Sequence, residues 1–120
     1  MKMQDKIVIN DYIENDPLSE ENLNKTLDIV NRFRLSCPNK SIWIYSGYRW
    51  SEIFNDGVCL TKNCDGWKRR EIVKQCTVMV DGRYIDSQRN PSKKWAGSNN
   101  QSVIDIRKSL EQNKIVLYCD

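Results

Sequence analysis

Histidine is absent from all 120 residues. The commonest general base near neutral pH and the commonest zinc ligand are therefore both missing, so proton transfer or metal binding must use other groups. No apolar run is long enough to cross a membrane as a helix. Residues 1–6 are polar and hold no apolar signal-peptide core, which argues against export and for a cytoplasmic chain. There is no internal repeat and no low-complexity tract. Five cysteines, at positions 37, 59, 64, 76 and 119, are an odd number without an export signal, and reduced thiols are expected rather than a disulfide framework.

What is present fits a single domain over residues 1–120. Hydrophobic residues at 39% against 29% charged give a globular rather than a disordered balance. The length suffices for one core and not for two. A net charge of +3 is mild, and the basic clusters Lys68-Arg69-Arg70 and Lys93-Lys94 form no concentrated stripe. They read as solvated faces, and a nucleic-acid partner is not expected.

Residues 6–13 (KIVINDYI) read as a strand interrupted by Asn10 and Asp11. A helix follows, with Ser19 as its cap and Glu20 and Glu21 where the dipole favours negative charge. Leu23, Leu27, Val30 and Phe33 recur at helical spacing, and Cys37-Pro38 ends the helix. Residues 41–46 (SIWIYS) form a β-branched and aromatic strand closed by Gly47, and residues 51–55 a short helix. A loop over 56–66 leads to a helix over 67–75 and a continuously apolar strand over 77–80. A long polar connection over 85–101 precedes two candidate strands, 102–106 and 115–118, which flank a polar connector. Alternating strands and helices imply an α/β fold with a mainly parallel sheet. Ligands of such sheets lie beyond the C-terminal strand ends, here residues 14–17, 46–48 and 81–83, which should face one crevice.

Four segments then stand in a fixed order. They are Asp16-Pro17-Leu18-Ser19, IWIYSGY over 42–48, VDGRY over 80–84, and WAGSNNQSVID over 95–105. The series resembles the GGDPL, IW-x-(Y/W)-TGY, VDG(R/P)F and WRGSSNQRVID segments of anaerobic ribonucleoside-triphosphate reductase activating proteins. The resemblance implies part of a radical-SAM-like partial barrel. It also implies a [4Fe-4S] cluster held by three thiolates of a C-x3-C-x2-C loop, which leaves one iron free for S-adenosylmethionine. The implied activity is formation of a glycyl radical on anaerobic ribonucleotide reductase, the implied partner.

The sequence departs from that pattern at cofactor-facing positions. No cysteine precedes Cys37, and Cys59-x4-Cys64 has a different place and spacing, so no cluster is expected in this chain. Glu14 and Asn15 replace the paired glycines, and Ala96 and Ser102 replace two arginines. These features describe a truncated or degenerate domain that is inactive alone. The alternative is a repurposed, non-catalytic module that binds a protein or small molecule. No catalytic residue is assigned.

The candidate cofactor-binding residues are Asp16, Pro17, Ser46, Gly47, Tyr48, Ser98, Asn99, Asn100 and Gln101. Asp16 and Pro17 line the crevice or form the turn into the first helix. Ser46, Gly47 and Tyr48 contact a ligand or simply close a strand. The run 97–101 offers donors and acceptors to a ligand, or bonds to itself as a capped loop. Cys59 and Cys64, with Cys37 and Cys76, are half of a metal site or plain loop and core thiols. An uncovered N-terminal strand edge leads to the expectation of a dimer or a tight complex.

Overall fold

Side chains of the central strands alternate between two apolar layers, and that alternation sets the architecture. The computed structural model describes residues 6–55, 57 and 61–118. Its strands are β1 (Lys6–Val8), β2 (Ser41–Ser46), β3 (Val78–Asp81) and β4 (Ser102–Asp105). They form one open sheet in the order β1-β2-β3-β4. The first three run parallel, and β4 pairs antiparallel with β3, Asp81 opposite Ser102. The sheet is mixed and mainly parallel, as the alternation of elements implies.

Helices α1 (Leu23–Ser36) and α3 (Asp65–Gln75) make the two crossovers and pack on each other. Both sit on the sheet face that carries Ile7, Ile42, Ile44, Met79 and Ile104, against Leu23, Val30, Ile72 and Val73. Trp43, Val78, Val80 and Val103 point to the opposite face. Among the described residues no helix covers that face; Trp95, Ala96 and Tyr118 pack there instead. Trp43, Trp95 and Tyr118 meet edge-on in three pairs with centroids 5.3–5.4 Å apart.

Several expectations need correction. The first strand stops at Val8, and residues 9–11 form a 3-10 turn. The reason is Asn10, whose amide donates to the Tyr45 carbonyl and accepts from the Tyr45 N–H, both at 2.9 Å. A side chain thus takes the place of the next ladder residue. Ser19 caps nothing: its Oγ donates back to the Asp16 carbonyl, and a 3-10 turn over Glu20–Asn22 precedes α1. The short helix α2 spans Trp50–Ile53, one residue earlier than expected at its start. The polar connector after β4 is helix α4 (Ile106–Gln112), capped by Asp105 Oδ1 on the Lys108 N–H and ended by Asn113 in the left-handed region. Residues 115–118 make only an isolated bridge, Leu117 to Ile104, beside β4. Among the described residues no helix is long and apolar enough to cross a membrane.

The basic cluster is mostly absorbed by the fold. Arg69 donates to the Leu18 carbonyl and the Tyr48 hydroxyl, and Arg70 to the carbonyls of Ile53 and Asn55.

Cys76, just after α3, is buried and donates to the Ile72 carbonyl. Burial pushes its thiol from the usual 9.0 up to about 12, against a smaller lowering by Arg34. The unfolded thiol ionises first, so the contribution is whole below the unfolded value and is lost as pH rises toward the folded one. Urea midpoints measured across that alkaline window should fall more steeply for the native chain than for Cys76→Ala. Parallel slopes would show that the Cys76 thiol is not protected.

Candidate functional site

Parallel strands end on the same side of a sheet, so the segments that leave β1, β2 and β3 converge there. Because β4 runs the other way, its start lies at that same end and brings Gln101 with it. The result is a cleft of about 460 Å³. Asn15 and Asp16, Ser46 and Gly47, and Gly82 and Arg83 contribute from the three strand ends. The expected crevice therefore exists, and all three expected segments line it.

Asp16 organises one wall. Its Oδ1 accepts from the Leu18 N–H at 2.9 Å and the Ser46 hydroxyl at 2.8 Å, and its Oδ2 from the Gly47 N–H at 2.8 Å. Ser46 Oγ in turn accepts from the Tyr48 N–H at 3.1 Å. A second carboxylate, Asp81, is buried behind the cleft and accepts from the N–H groups of Trp50 at 2.7 Å and Ser102 at 3.3 Å. It fixes the start of α2 and the entry to β4. Glycine suits two points, at Gly47 because an added Cβ would push the Arg83 stem aside and at Gly82 because of its backbone angle. A Cβ on Gly47 would lie 3.0 Å from Arg83 Cγ, and Gly82 has φ +93°.

Of the nine residues singled out in the sequence, Asp16, Ser46, Gly47 and Gln101 line this cleft. The other five do not. Pro17 is buried, and its carbonyl accepts from the Thr26 hydroxyl at 2.8 Å. Tyr48 lies on a second cleft of about 430 Å³ with Glu52, Cys64 and Arg69, where the Arg69 guanidinium stacks 4.3 Å from its ring. Ser98 is fully buried; its Oγ donates to Asn100 Oδ1 and accepts from the Ile85 N–H. Asn99 borders a pocket on the far side, near Lys93 and Tyr118. Asn100 donates to the Arg83 carbonyl at 2.7 Å.

The run 97–101 is thus a self-bonded loop. Gln101 Oε1 accepts from the N–H groups of Gly97 and Ser98, and its Nε2 donates to the Gly82 carbonyl at 3.1 Å. Three cleft residues escaped sequence reasoning: Asn10, Tyr45 and Tyr84. Only Asn10 carried a signal, as a polar residue inside an apolar run.

The cysteines do not assemble a metal centre among the described residues, where no group of three or more His, Cys, Asp or Glu could hold an ion. Cys76 is protonated in the core, Cys37 packs against the core after α1, and Cys64 precedes α3 at the second cleft. Cys59, the other half of the candidate pair, lies outside the described residues, as does Cys119.

Asp16→Ala should cost about 2–4 kcal/mol in urea unfolding, because three donors lose a charged acceptor. Asp16→Asn should recover part of that loss. Faster hydrogen exchange at the Gly47 amide in Asp16→Ala would accompany it, and an unchanged amide would contradict the assignment.

Residues 14–104 match the family described as 4Fe-4S single cluster domain. The anaerobic ribonucleoside-triphosphate reductase-activating protein of Escherichia coli (strain K12) is 33% identical over 92 residues, which are 77% of this chain and 52% of that protein. The protein of the same name from Vibrio cholerae is 33% identical over 88 residues, 73% of this chain and 49% of that one. That of Enterobacteria phage T4 is 31% identical over 89 residues, 73% and 47% respectively. The chain spans about half the length of the curated relatives it matches. No solved structure matches it. The matched span carries every residue that lines the cleft except Asn10, and on that likeness the chain belongs to the family of anaerobic ribonucleoside-triphosphate reductase-activating proteins.

Proposed function

We propose that this chain is the ligand-binding part of a system that activates anaerobic ribonucleotide reductase. In this reading its sheet is a section of a radical-SAM-like partial barrel, and its cleft takes S-adenosylmethionine. The chain by itself does not cleave that molecule. One observation carries the reading: the family-matched segments converge on a cleft at the strand ends, while the described residues bring no thiolate set to it.

A [4Fe-4S] cluster needs several thiolates on one centre. The described cysteines of this chain do not fit that group, since Cys76 is buried and protonated and Cys37 and Cys64 sit on different elements. No reaction step is assigned to a cluster here. What the chain's own residues do is shape and hold the cleft. Asn15 supports its role there. It replaces a family glycine yet keeps φ +66°, the left-handed conformation that asparagine tolerates better than most residues. The cleft wall keeps a backbone path suited to glycine despite the added side chain.

The alternative, a non-catalytic module repurposed for a protein or another small molecule, is favoured by the commitment of Asp16. Three internal donors already occupy its carboxylate, and a ligand amine would have to compete with them.

Anaerobic incubation with ferrous iron, sulfide and reductant, followed by desalting, should leave the chain colourless, and it should release no 5′-deoxyadenosine from S-adenosylmethionine. A stable brown species with about four irons per chain would overturn the reading.

The same reading places the chain in a complex. Among the described residues β1 has no strand on its outer side, and an open edge of N–H and C=O groups invites pairing. Light scattering should report a dimer, or a stoichiometric complex once the reductase is added. A clean monomer with residues 6–8 strongly protected from hydrogen exchange would contradict this.

A further inference from the structure

A groove of about 620 Å³ lies at the end of the sheet opposite the cleft, where β3 begins and the antiparallel β4 ends, Val78 opposite Asp105. The end of α3 with Cys76 and Thr77 lines one side of it, and α4 lines the other. Ile106 and Cys76 are buried in the core beneath it, whereas Leu110, one turn further along α4, is 38% exposed. Neutral polar groups here are held by the fold: Thr77 Oγ1 accepts from the Ile42 N–H at 2.9 Å, and Gln75 Nε2 donates to Asn31 Oδ1 at 2.6 Å. What the groove offers a partner is chiefly aliphatic surface and charge.

The charge is unbalanced, with Arg34, Lys74 and Arg107 set against Glu111. Arg34 donates to the carbonyls of Gln75, Pro38 and Lys40 and meets no carboxylate among the described residues. Its charge reaches the floor, where it opposes the larger upward effect of burial on the Cys76 thiol. Lys74 and Arg107 pair only with acids of their own helices, Glu71 at 3.9 Å and Glu111 at 3.5 Å, and all four side chains are at least a third exposed. Exposed pairs of that kind contribute little, so a partner's carboxylate can replace either acid at small cost.

We infer that this groove docks an acidic segment of a partner protein, an apolar side chain lying on Leu110 and flanking carboxylates on Lys74 and Arg107. The inference is independent of any ligand in the strand-end cleft, which such a partner leaves open. Charge complementarity carries it: three cations ring an aliphatic floor, and the only acid among the lining residues already faces Arg107. A nucleic acid fits less well, because no aromatic ring lines the groove for a base to stack on. A membrane fits less well too, because apolar surface sunk in a groove does not enter a lipid layer.

The probe is a fluorescein-labelled synthetic peptide of leucine pairs flanked by glutamates, and its control carries lysine in place of glutamate. Fluorescence anisotropy should show the glutamate peptide binding and the lysine peptide not. Lys74→Gln combined with Arg107→Gln should weaken the glutamate peptide by about fivefold or more. Both cations are exposed, so the thermal midpoint of that double variant should stay near that of the unaltered chain. Leu110→Ser, made separately, should weaken the same peptide, and amide shifts on binding should cluster at residues 74–77 and 106–111. No binding of the glutamate peptide at about 1 mM, equal binding of both peptides, or an affinity unchanged in the double variant would overturn the inference. So would binding of phosphatidylserine vesicles or a single-stranded oligonucleotide that needs Lys74 and Arg107 while the glutamate peptide stays unbound, an outcome that assigns the groove to a membrane or a nucleic acid.

Discussion

The Asp16 carboxylate accepts hydrogen bonds from three places that the chain would otherwise leave apart. Leu18 is on the path into α1, while Ser46 and Gly47 are at the exit of β2. One charged group thereby fixes the relation between the first crossover and the end of the central strand. Charge-assisted bonds of this kind are stronger than neutral ones, and their donors would otherwise compete for water at the cleft. The position of Gly47 under the Arg83 stem follows from it. Asp81 does the same on the other side, holding α2 and β4. The cleft is shaped by two carboxylates whose acceptor capacity is largely spent inside the protein.

The two faces of the sheet are closed by different means. On one, α1 and α3 supply aliphatic cover against Ile42, Ile44 and Met79. On the other, a loop and the C-terminal segment bring Trp95 and Tyr118 onto Trp43. Large rings cover more apolar area per residue than aliphatic side chains, so two residues replace part of a helix. Trp95 reaches its place with φ +67°, a conformation unfavourable for a bulky residue, and the contacts of its half-buried ring with Trp43 and Tyr118 offset that strain.

Family membership and site chemistry pull in different directions. The match over residues 14–104 includes every cleft-lining residue but Asn10, and the described thiols are dispersed. What the cleft retains is a donor surface around Arg83, and the acids near it are committed to the fold.

Much of this was legible in the sequence. Strand β2 matches its expected span of 41–46, because Ile, Trp and Tyr in a row bounded by Lys40 and Gly47 suit only an extended, buried segment. The spacing of Leu23, Val30 and their neighbours fixed α1, and the order of strands and helices fixed the parallel core and the end at which a cleft forms. Strand-end position also located Asp16, Ser46 and Gly47 on the cleft. Tertiary structure alone decided the rest. That Asn10 would pair with Tyr45 depends on β2 lying beside it, a contact 35 residues away in the chain. That 97–101 would spend its polar groups on itself and on 82–85 depends on the antiparallel return of β4, which periodicity cannot announce. The same holds for Arg83. Its residue type was readable, but that its side chain makes no hydrogen bond or ion pair among the described residues emerges only from the packed structure, because hydrogen-bond satisfaction is a property of the packed structure and not of the chain.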